Sequence, residues 1–342
     1  MAVTVALDGR GAERGPQAVI AAARAAAADG IGLRVFGDGE VLAEIGDLEG
    51  AELVPTEEEI TNSDEPVAAV RSRPEASVVR AASDVAEGRS DALVSAGPTG
   101  ATMTAALFAL RRMQGVRRPA LALQLPVPGR AGRPLLLLDV GANTEARAVD
   151  LVQFAYLGSA FSAAVLGVED PRVALLSVGE EQSKGSAEVV EANSRLADAP
   201  GIEFLGNVEG RDLMGETADI VVTDGFTGNV VLKTIEGTAK AVADAVREAA
   251  RSGARAAVGG TLLRPALGAL RRQLDPDTTG GAILLGLRGV AVVGHGSSGA
   301  EGIANAVRLA ARAVEERAVD RTAELLEDSG MTRGVMRDRK VS

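Results

Sequence analysis

Ala92-Leu-Val-Ser-Ala-Gly-Pro-Thr-Gly-Ala-Thr-Met-Thr-Ala-Ala-Leu-Phe-Ala-Leu110 reads as a strand, a glycine turn and a helix. Ala92 to Ser95 is short and apolar, Gly97 and Gly100 punctuate the turn, and the small residues from Ala101 suit a helix lying close on a sheet. Further small-residue loops lie beside apolar runs: Leu138-Asp-Val-Gly-Ala-Asn143, Ser177-Val-Gly-Glu-Glu-Gln-Ser-Lys-Gly185, Thr223-Asp-Gly-Phe-Thr-Gly-Asn229 and Gly294-His-Gly-Ser-Ser-Gly299. Loops of this kind gather at the carboxyl edge of a parallel sheet, where their N–H groups can meet an anion. The pattern predicts a three-layer αβα fold with a mainly parallel sheet, the loops converging on one crevice, and an enzyme that handles a phosphate.

Outward from this unit, Thr4 to Leu7 and Leu33 to Phe36 are strand candidates around an Ala-rich helix, Ala18 to Ala28. Leu135 to Val140 and Val173 to Val178 are apolar without alternation, as strands covered on both faces are. Helices are expected over Asp150 to Leu166, from Gly228 toward Ala250, and from Glu301 to Ala318, with strands at Ile220 to Thr223 and Val290 to Val293. No repeat or low-complexity linker divides the chain. Residues 1–318 are therefore read as one αβα body or two intimately packed lobes, and 319–342 as a charged C-terminal tail.

The chain has 342 residues, a formal charge of −11, no cysteine and a single histidine, His295. These values exclude disulfides, thiolate catalysis and multi-histidine or cysteine metal centres, and they argue against a nucleic-acid surface. Met1 to Asp8 lacks a basic start followed by an apolar segment, and no run of eighteen apolar residues is uninterrupted, so a cytoplasmic protein without a spanning helix is expected. One interval stands apart: Arg247, Arg251, Arg255, Arg264, Arg271 and Arg272 face the single acid Glu248, with leucines interleaved. A basic amphipathic element over 247–272 suits an acidic partner or an anionic membrane surface, and two ordinary helices joined at Gly259-Gly260 are the alternative.

Several polar residues fall in the loops. Ser95, Gly97, Thr99 and Gly100 can face an anion at a helix start, or serve only a tight turn. Asp139 ends an apolar strand and must be hydrogen-bonded, which makes it a structural clamp or an orienting group, while Asn143 sits at a pocket edge or caps a helix. Lys184, beside Gly179, Glu180 and Glu181, can neutralise phosphate or an oxyanion with a glutamate holding it, or form an exposed ion pair. Asp224, Gly225 and Asn229 offer orientation, binding or capping. His295 with Ser297 lies directly after an apolar strand, suited to a chemical or phosphate-binding role, or to a merely structural one.

These blocks resemble the bacterial phosphate acyltransferases, the PlsX family. The similarity runs from Asp8-x-x-Gly11 and Pro16 through Ser95-Ala-Gly-Pro-Thr-Gly100, Arg117-Arg-Pro-Ala-Leu121, Leu137-Leu-Asp-Val-Gly-Ala-Asn143, Gln153-Phe-Ala-Tyr-Leu-Gly158, Pro171 to Gly185 and Thr223 to Asn229, to Gly280-Gly-Ala-Ile-Leu-Leu-Gly286 and His295-Gly-Ser-Ser298. It spans about residues 2 to 315. The resemblance implies a fold related to the isocitrate and isopropylmalate dehydrogenases, a homodimer, no cofactor and no metal. It also implies reversible transfer of a long-chain fatty acyl group from acyl carrier protein to inorganic phosphate, giving acyl phosphate for phospholipid synthesis. Glycerol-3-phosphate acyltransferase is the implied downstream partner, and peripheral membrane contact is a family trait. The chain departs from the family pattern at Asp8-Gly-Arg-Gly-Ala-Glu13 and at Pro98, where an asparagine is usual.

On this reading phosphate attacks the thioester carbonyl directly. Lys184 and loop amides stabilise charge, Asp224 and Asn229 orient the reactants, and His295 assists phosphate binding or protonation of the thiolate. Asp8 joins the substrate-binding set. The alternatives are a phosphate acyltransferase using short-chain acyl-CoA, a nicotinamide dehydrogenase on the same fold, and a catalytically silent scaffold for carrier protein or membrane.

Overall fold

The computed structural model describes residues 2–39, 43–46, 48–130, 133–274 and 276–330. Among these, eleven strands form one sheet in the order β3-β2-β1-β4-β11-β10-β5-β6-β9-β7-β8. They are β1 (Thr4–Asp8), β2 (Gly32–Gly37), β3 (Ala51–Pro55), β4 (Ala92–Ser95), β5 (Ala120–Leu125), β6 (Leu135–Leu138), β7 (Arg172–Leu176), β8 (Glu203–Val208), β9 (Ile220–Val222), β10 (Ala282–Leu285) and β11 (Val290–Val293). Helices cover both faces: α1 (Pro16–Ala28), α2 (Pro66–Ser72), α3 (Ser77–Ala86), α4 (Thr99–Leu110), α5 (Ala148–Phe161), α6 (Ala187–Leu196), α7 (Gly225–Ala249), α8 (Ala254–Leu274), α9 (Ala300–Glu315) and α10 (Ala318–Asp328). This is the expected three-layer αβα arrangement with a mainly parallel sheet.

The strands are apolar on both sides because each face meets helices. Leu136 and Leu138 of β6 enter one core layer with Val5, Leu7 and the helices α1, α5 and α9. Leu135 and Leu137 point the other way, into a layer with Ala6, Leu93 and α4. Helix α5 is buried almost all round and carries Phe154, Tyr156 and Phe161, each fully buried. Gly158 admits it to the sheet, since a Cβ there would stand 3.0 Å from the Leu138 side chain and 3.1 Å from Ile220. With the π-helical turn Ser162–Leu166 it forms a segment long and apolar enough to cross a membrane, but one mostly buried inside this fold.

Strand direction corrects the expectation of one converging crevice. β1, β2, β3, β4 and β11 are mutually parallel, and β6, β7, β8 and β9 are mutually parallel. Between the two groups the pairs β11/β10, β10/β5 and β5/β6 are all antiparallel. Three reversals turn the second group over, so the carboxyl ends of β1, β4 and β11 lie at one sheet edge and those of β6, β7 and β9 at the opposite edge. The strands responsible, β5 and β10, were not among the strand candidates of the sequence; the motif block at 117–121 overlaps only the start of β5, and that at 280–286 spans β10.

Two boundaries also differ. The basic interval is a helical hairpin, its turn at 250–253 between α7 and α8, whereas Gly259 and Gly260 lie inside α8. A Cβ on Gly260 would meet that of Ala250 at 2.7 Å, so the glycine serves close approach of the two helices. Part of the expected charged tail is ordered structure: α10 packs against α5, burying Ala318, Thr322 and Leu326. The remainder of that tail, 331–342, falls outside the described residues.

Candidate active site

At the first edge, pairing sets Asp8 beside Ser95, and Ser95 beside Val293. Ser95 Oγ donates to Asp8 Oδ2 at 2.7 Å and accepts from the Gly97 N–H at 3.0 Å and from Thr102 Oγ1 at 3.1 Å. The Arg10 N–H donates to Asp8 Oδ1 at 3.2 Å. Burial pushes the Asp8 carboxyl up to about 6, against the lowering effect of hydrogen bonds from Ser77, Ser95 and the Arg10 N–H. Ser95 is thus bound to Asp8 and Gly97 to Ser95, and a Cβ on Gly97 would press on Ser95 Oγ and Asp8 Oδ2 at 3.2 and 3.3 Å. What remains open is the start of α4, where Pro98 gives no side-chain cap and the first N–H groups have no partner within the helix. Gly100 meets α2, where an added Cβ would stand 2.8 Å from Pro66.

The opening loop and the histidine loop close on this centre. The Glu13 N–H donates to the Gly296 carbonyl at 3.1 Å, and the Gly294 N–H donates to the Ser95 carbonyl at 2.8 Å. Arg10, a departure from the family pattern, reaches outward to Asp38 at 2.8 Å and to the Glu57 carbonyl at 3.1 Å. Beside it a cavity of about 450 Å³ is bounded by Arg10, Gly11, Asp38 and Pro98.

His295 has a partner that the sequence reading missed. Its Nε2 lies 3.2 Å from Lys233 Nζ, and its Nδ1 lies 2.7 Å from Ser297 Oγ. Lys233 also pairs with Glu236 at 2.9 Å, and Glu236 Oε1 is 3.9 Å from His295 Nε2. The Ser297 N–H also donates to Nδ1, at 3.3 Å. Lys233 belongs to α7, where Asn229, Lys233 and Glu236 recur at helical spacing on one face. That spacing, Asn229 followed by a lysine four residues on, was the available signal.

At the opposite edge Asp139 is fully buried and accepts five hydrogen bonds. Oδ1 takes the N–H groups of Leu121, Gly141 and Ala142 at 3.0, 3.1 and 2.9 Å, and Oδ2 takes the N–H and the amide of Asn143 at 2.7 and 2.8 Å. Burial raises its pKa, opposed by these bonds. Asp139 is the clamp that the sequence suggested. Asn143 also donates to the Pro119 carbonyl at 2.8 Å, and its own carbonyl takes the Gly225 N–H at 2.7 Å, so Asn143 and Gly225 are committed internally. A Cβ on Gly228 would fall 1.9 Å from the Asp139 carbonyl oxygen, so the first turn of α7 seats directly on this loop.

Asp224 caps α7, accepting from the Thr227 N–H and hydroxyl at 2.8 Å each. Asn229 is exposed one turn on. Lys184 is exposed, and among the described residues no glutamate pairs with it: Glu180 pairs instead with Arg211 at 3.4 Å. Asn207 supports the Lys184 loop by donating to the Glu181 carbonyl at 2.9 Å. The chain therefore brings Asp8, Ser95, Gly97 and His295 together, and leaves Lys184, Gly179, Glu180 and Asp224 at the other edge, with α7 rising from Asp224 to His295. Among the described residues no three His, Asp or Glu side chains group as a metal site requires.

The chain matches, over residues 3–321, a family model whose description reads fatty acid synthesis protein. It is 44% identical over 319 residues to the phosphate acyltransferase of Elusimicrobium minutum, covering 91% of this chain and 92% of that one. With the phosphate acyltransferase of Bacillus cytotoxicus it shares 40% identity over 326 residues, 94% of this chain and 98% of the relative. Among solved structures it is similar to the EutD phosphotransacetylase from Staphylococcus aureus, with TM-score 0.57, 20% identity, and 92% and 94% of the two chains covered. A phosphotransacetylase from Streptococcus pyogenes gives TM-score 0.59 at 17% identity, over 92% of this chain and 94% of the other. At these identities the structural likeness shows the shared fold.

Proposed function

The chain belongs to the phosphate acyltransferase family, and we propose that it carries out the family's reversible acyl transfer at the His295–Lys233 cluster, with a long-chain fatty acyl group delivered on acyl carrier protein. Support for this location is the 3.2 Å contact between Lys233 and His295 beside the uncapped start of α4. Two cation-capable groups and free N–H groups there suit a phosphate dianion.

A phosphate oxygen attacks the thioester carbonyl, the C–O bond forms and the C–S bond breaks. The proton carried by monohydrogen phosphate passes to the departing thiolate, so acyl phosphate and free thiol result. His295 is placed to relay that proton, and the Lys233 ammonium to offset charge on phosphate and on the carbonyl oxygen. Asp224 acts as a positioning residue, fixing the start of the helix that carries Asn229 and Lys233.

Lys184 retains its proposed role toward phosphate or oxyanion through a homodimer, which would set the Lys184 edge of one chain against the His295 edge of its partner. The α7–α8 hairpin is the proposed membrane-facing surface, since Val258, Leu262 and Leu263 are 64%, 77% and 58% exposed among Arg251, Arg255 and Arg264. The side chains of Arg271 and Arg272 lie outside the described residues. A cytoplasmic enzyme supplying glycerol-3-phosphate acyltransferase completes the proposal.

The test is phosphate-dependent conversion of palmitoyl-acyl carrier protein to palmitoyl phosphate, identified by mass spectrometry, with acetyl-CoA as the competing donor. Palmitoyl phosphate as the main product is expected. Turnover of acetyl-CoA alone would replace the long-chain reading with the short-chain one.

A further inference from the structure

A cavity of about 840 Å³ opens at the edge that carries the Asp139 loop, and its wall includes Arg111, Arg112, Arg117, Arg118 and Arg288. Among the described residues only Arg117 meets a carboxylate, Asp150 at 2.9 Å. Arg288 Nε donates to the Arg112 carbonyl at 3.1 Å, Arg118 to the Glu145 carbonyl at 3.0 Å, and Arg112 to the Arg117 carbonyl. The Arg111 side chain has no hydrogen bond or ion pair among the described residues. Among the described residues four of these positive charges therefore have no carboxylate partner around one concavity, in a chain of net charge −11.

The cluster is held in place. The Met113 N–H donates to the Gly286 carbonyl at 2.9 Å and the Arg288 N–H to the Arg111 carbonyl at 3.0 Å, pairing the segment after α4 with the segment after β10. Arg111 adopts φ 61°, outside the helical range, where α4 ends. The cavity wall includes the apolar residues Leu107, Met113, Val116 and Pro119.

We propose that this arginine-walled cavity is the docking surface for an acidic protein face, that of the carrier presenting the acyl thioester. The proposal rests on the donor assigned under Proposed function. Three observations favour a protein over a small anion. The unneutralised guanidiniums are exposed around an open cavity rather than buried about a closed pocket, the wall between them offers apolar contact area, and the cavity adjoins the catalytic helix. Asn143 lines it and holds the first turn of α7 through the Gly225 N–H. A chain of net −11 repels an acidic partner at long range, so a local positive patch determines where and in what orientation the partner lands.

The experiment measures binding of acyl carrier protein by calorimetry, and steady-state kinetics, for the full-length wild type, Arg111→Glu, Arg288→Glu and the milder Arg111→Gln and Arg288→Gln. Expected are a roughly tenfold or greater loss of carrier affinity in each Glu variant, a smaller loss in each Gln variant, and a flatter salt dependence. KM for the carrier-borne donor rises in parallel, while kcat, KM for phosphate and turnover of a palmitoyl-pantetheine thioester without carrier stay unchanged. Unchanged carrier affinity in folded variants overturns the proposal. So does protection of the wild type by inorganic pyrophosphate, lost in the variants without a change in carrier affinity, since that assigns the cavity to a small anion. Arginine-dependent carrier binding without acyl phosphate formation would uphold the dock and sink the assigned reaction instead.

Discussion

Lys233 Nζ and His295 Nε2 stand 3.2 Å apart although their segments leave the sheet at opposite edges. Helix α7 makes the connection: it starts at the Asp139 loop and reaches the strand group that carries Asp8 and Ser95. The glycines at its start are what bring it close enough.

If this pair handles phosphate, Lys233→Ala and His295→Ala each lower kcat by about 10² to 10³, the range found when one well-aimed charge-stabilising group is lost. Thermal stability changes little, because both side chains are partly exposed, Lys233 by 52% and His295 by 39%. Single-turnover acyl phosphate formation at saturating phosphate checks this. A rate within twofold of wild type in either variant would remove that residue from the mechanism.

Buried Asp8 gives stability a definite pH slope. Its carboxyl titrates near 6 when folded against 3.8 when free, so between those values the folded state binds the extra proton. Stability from this group is present at low pH and declines as pH rises from about 4 to about 6, by roughly 3 kcal/mol. Urea unfolding across that window measures it. Asp8→Asn abolishes this component, and Ser95→Ala, which deletes a hydrogen bond to the carboxylate, moves the midpoint upward.

Two glycines of α7 respond oppositely to alanine. At Gly228 the new methyl falls 1.9 Å from the Asp139 carbonyl oxygen, backbone that has no side chain to rotate away, so α7 must lift and the protein loses more than about 3 kcal/mol. At Gly237 nothing lies within 4 Å, and alanine stabilises by about 0.5 to 1 kcal/mol through helix propensity. Denaturant midpoints of the two variants decide the matter.

Mixing the Lys184→Ala and His295→Ala proteins tests whether a dimer unites the two edges. Subunit exchange between two inactive variants then regenerates one intact site in the mixed dimer and restores roughly a quarter of wild-type activity, the value for random pairing in a C2 dimer. A mixture as inactive as its components shows that each chain uses its own Lys184 and His295.

How much the sequence disclosed can be seen from individual positions. Asp139 was legible because a carboxylate ending an apolar strand demands donors, and five are present. The αβα layering was legible from unalternating strands and small-residue helices. Sheet reversal was not, since direction depends on β5 and β10, whose apolar runs look the same in either orientation. For the same reason Lys184 and His295 were grouped although the fold separates them. Arg111 and Arg288 were invisible as a set, being far apart in sequence and joined only by strand pairing between their loops.

Tyr156 is the only tyrosine, and the chain has no tryptophan. It is fully sealed in the core layer, its hydroxyl donating to the Pro200 carbonyl at 2.9 Å. The tyrosine emission of the chain is thus an internal gauge of helix α5. Inorganic phosphate arriving at either sheet edge does not reach that ring, and a change in its emission registers loosening of the central layer itself.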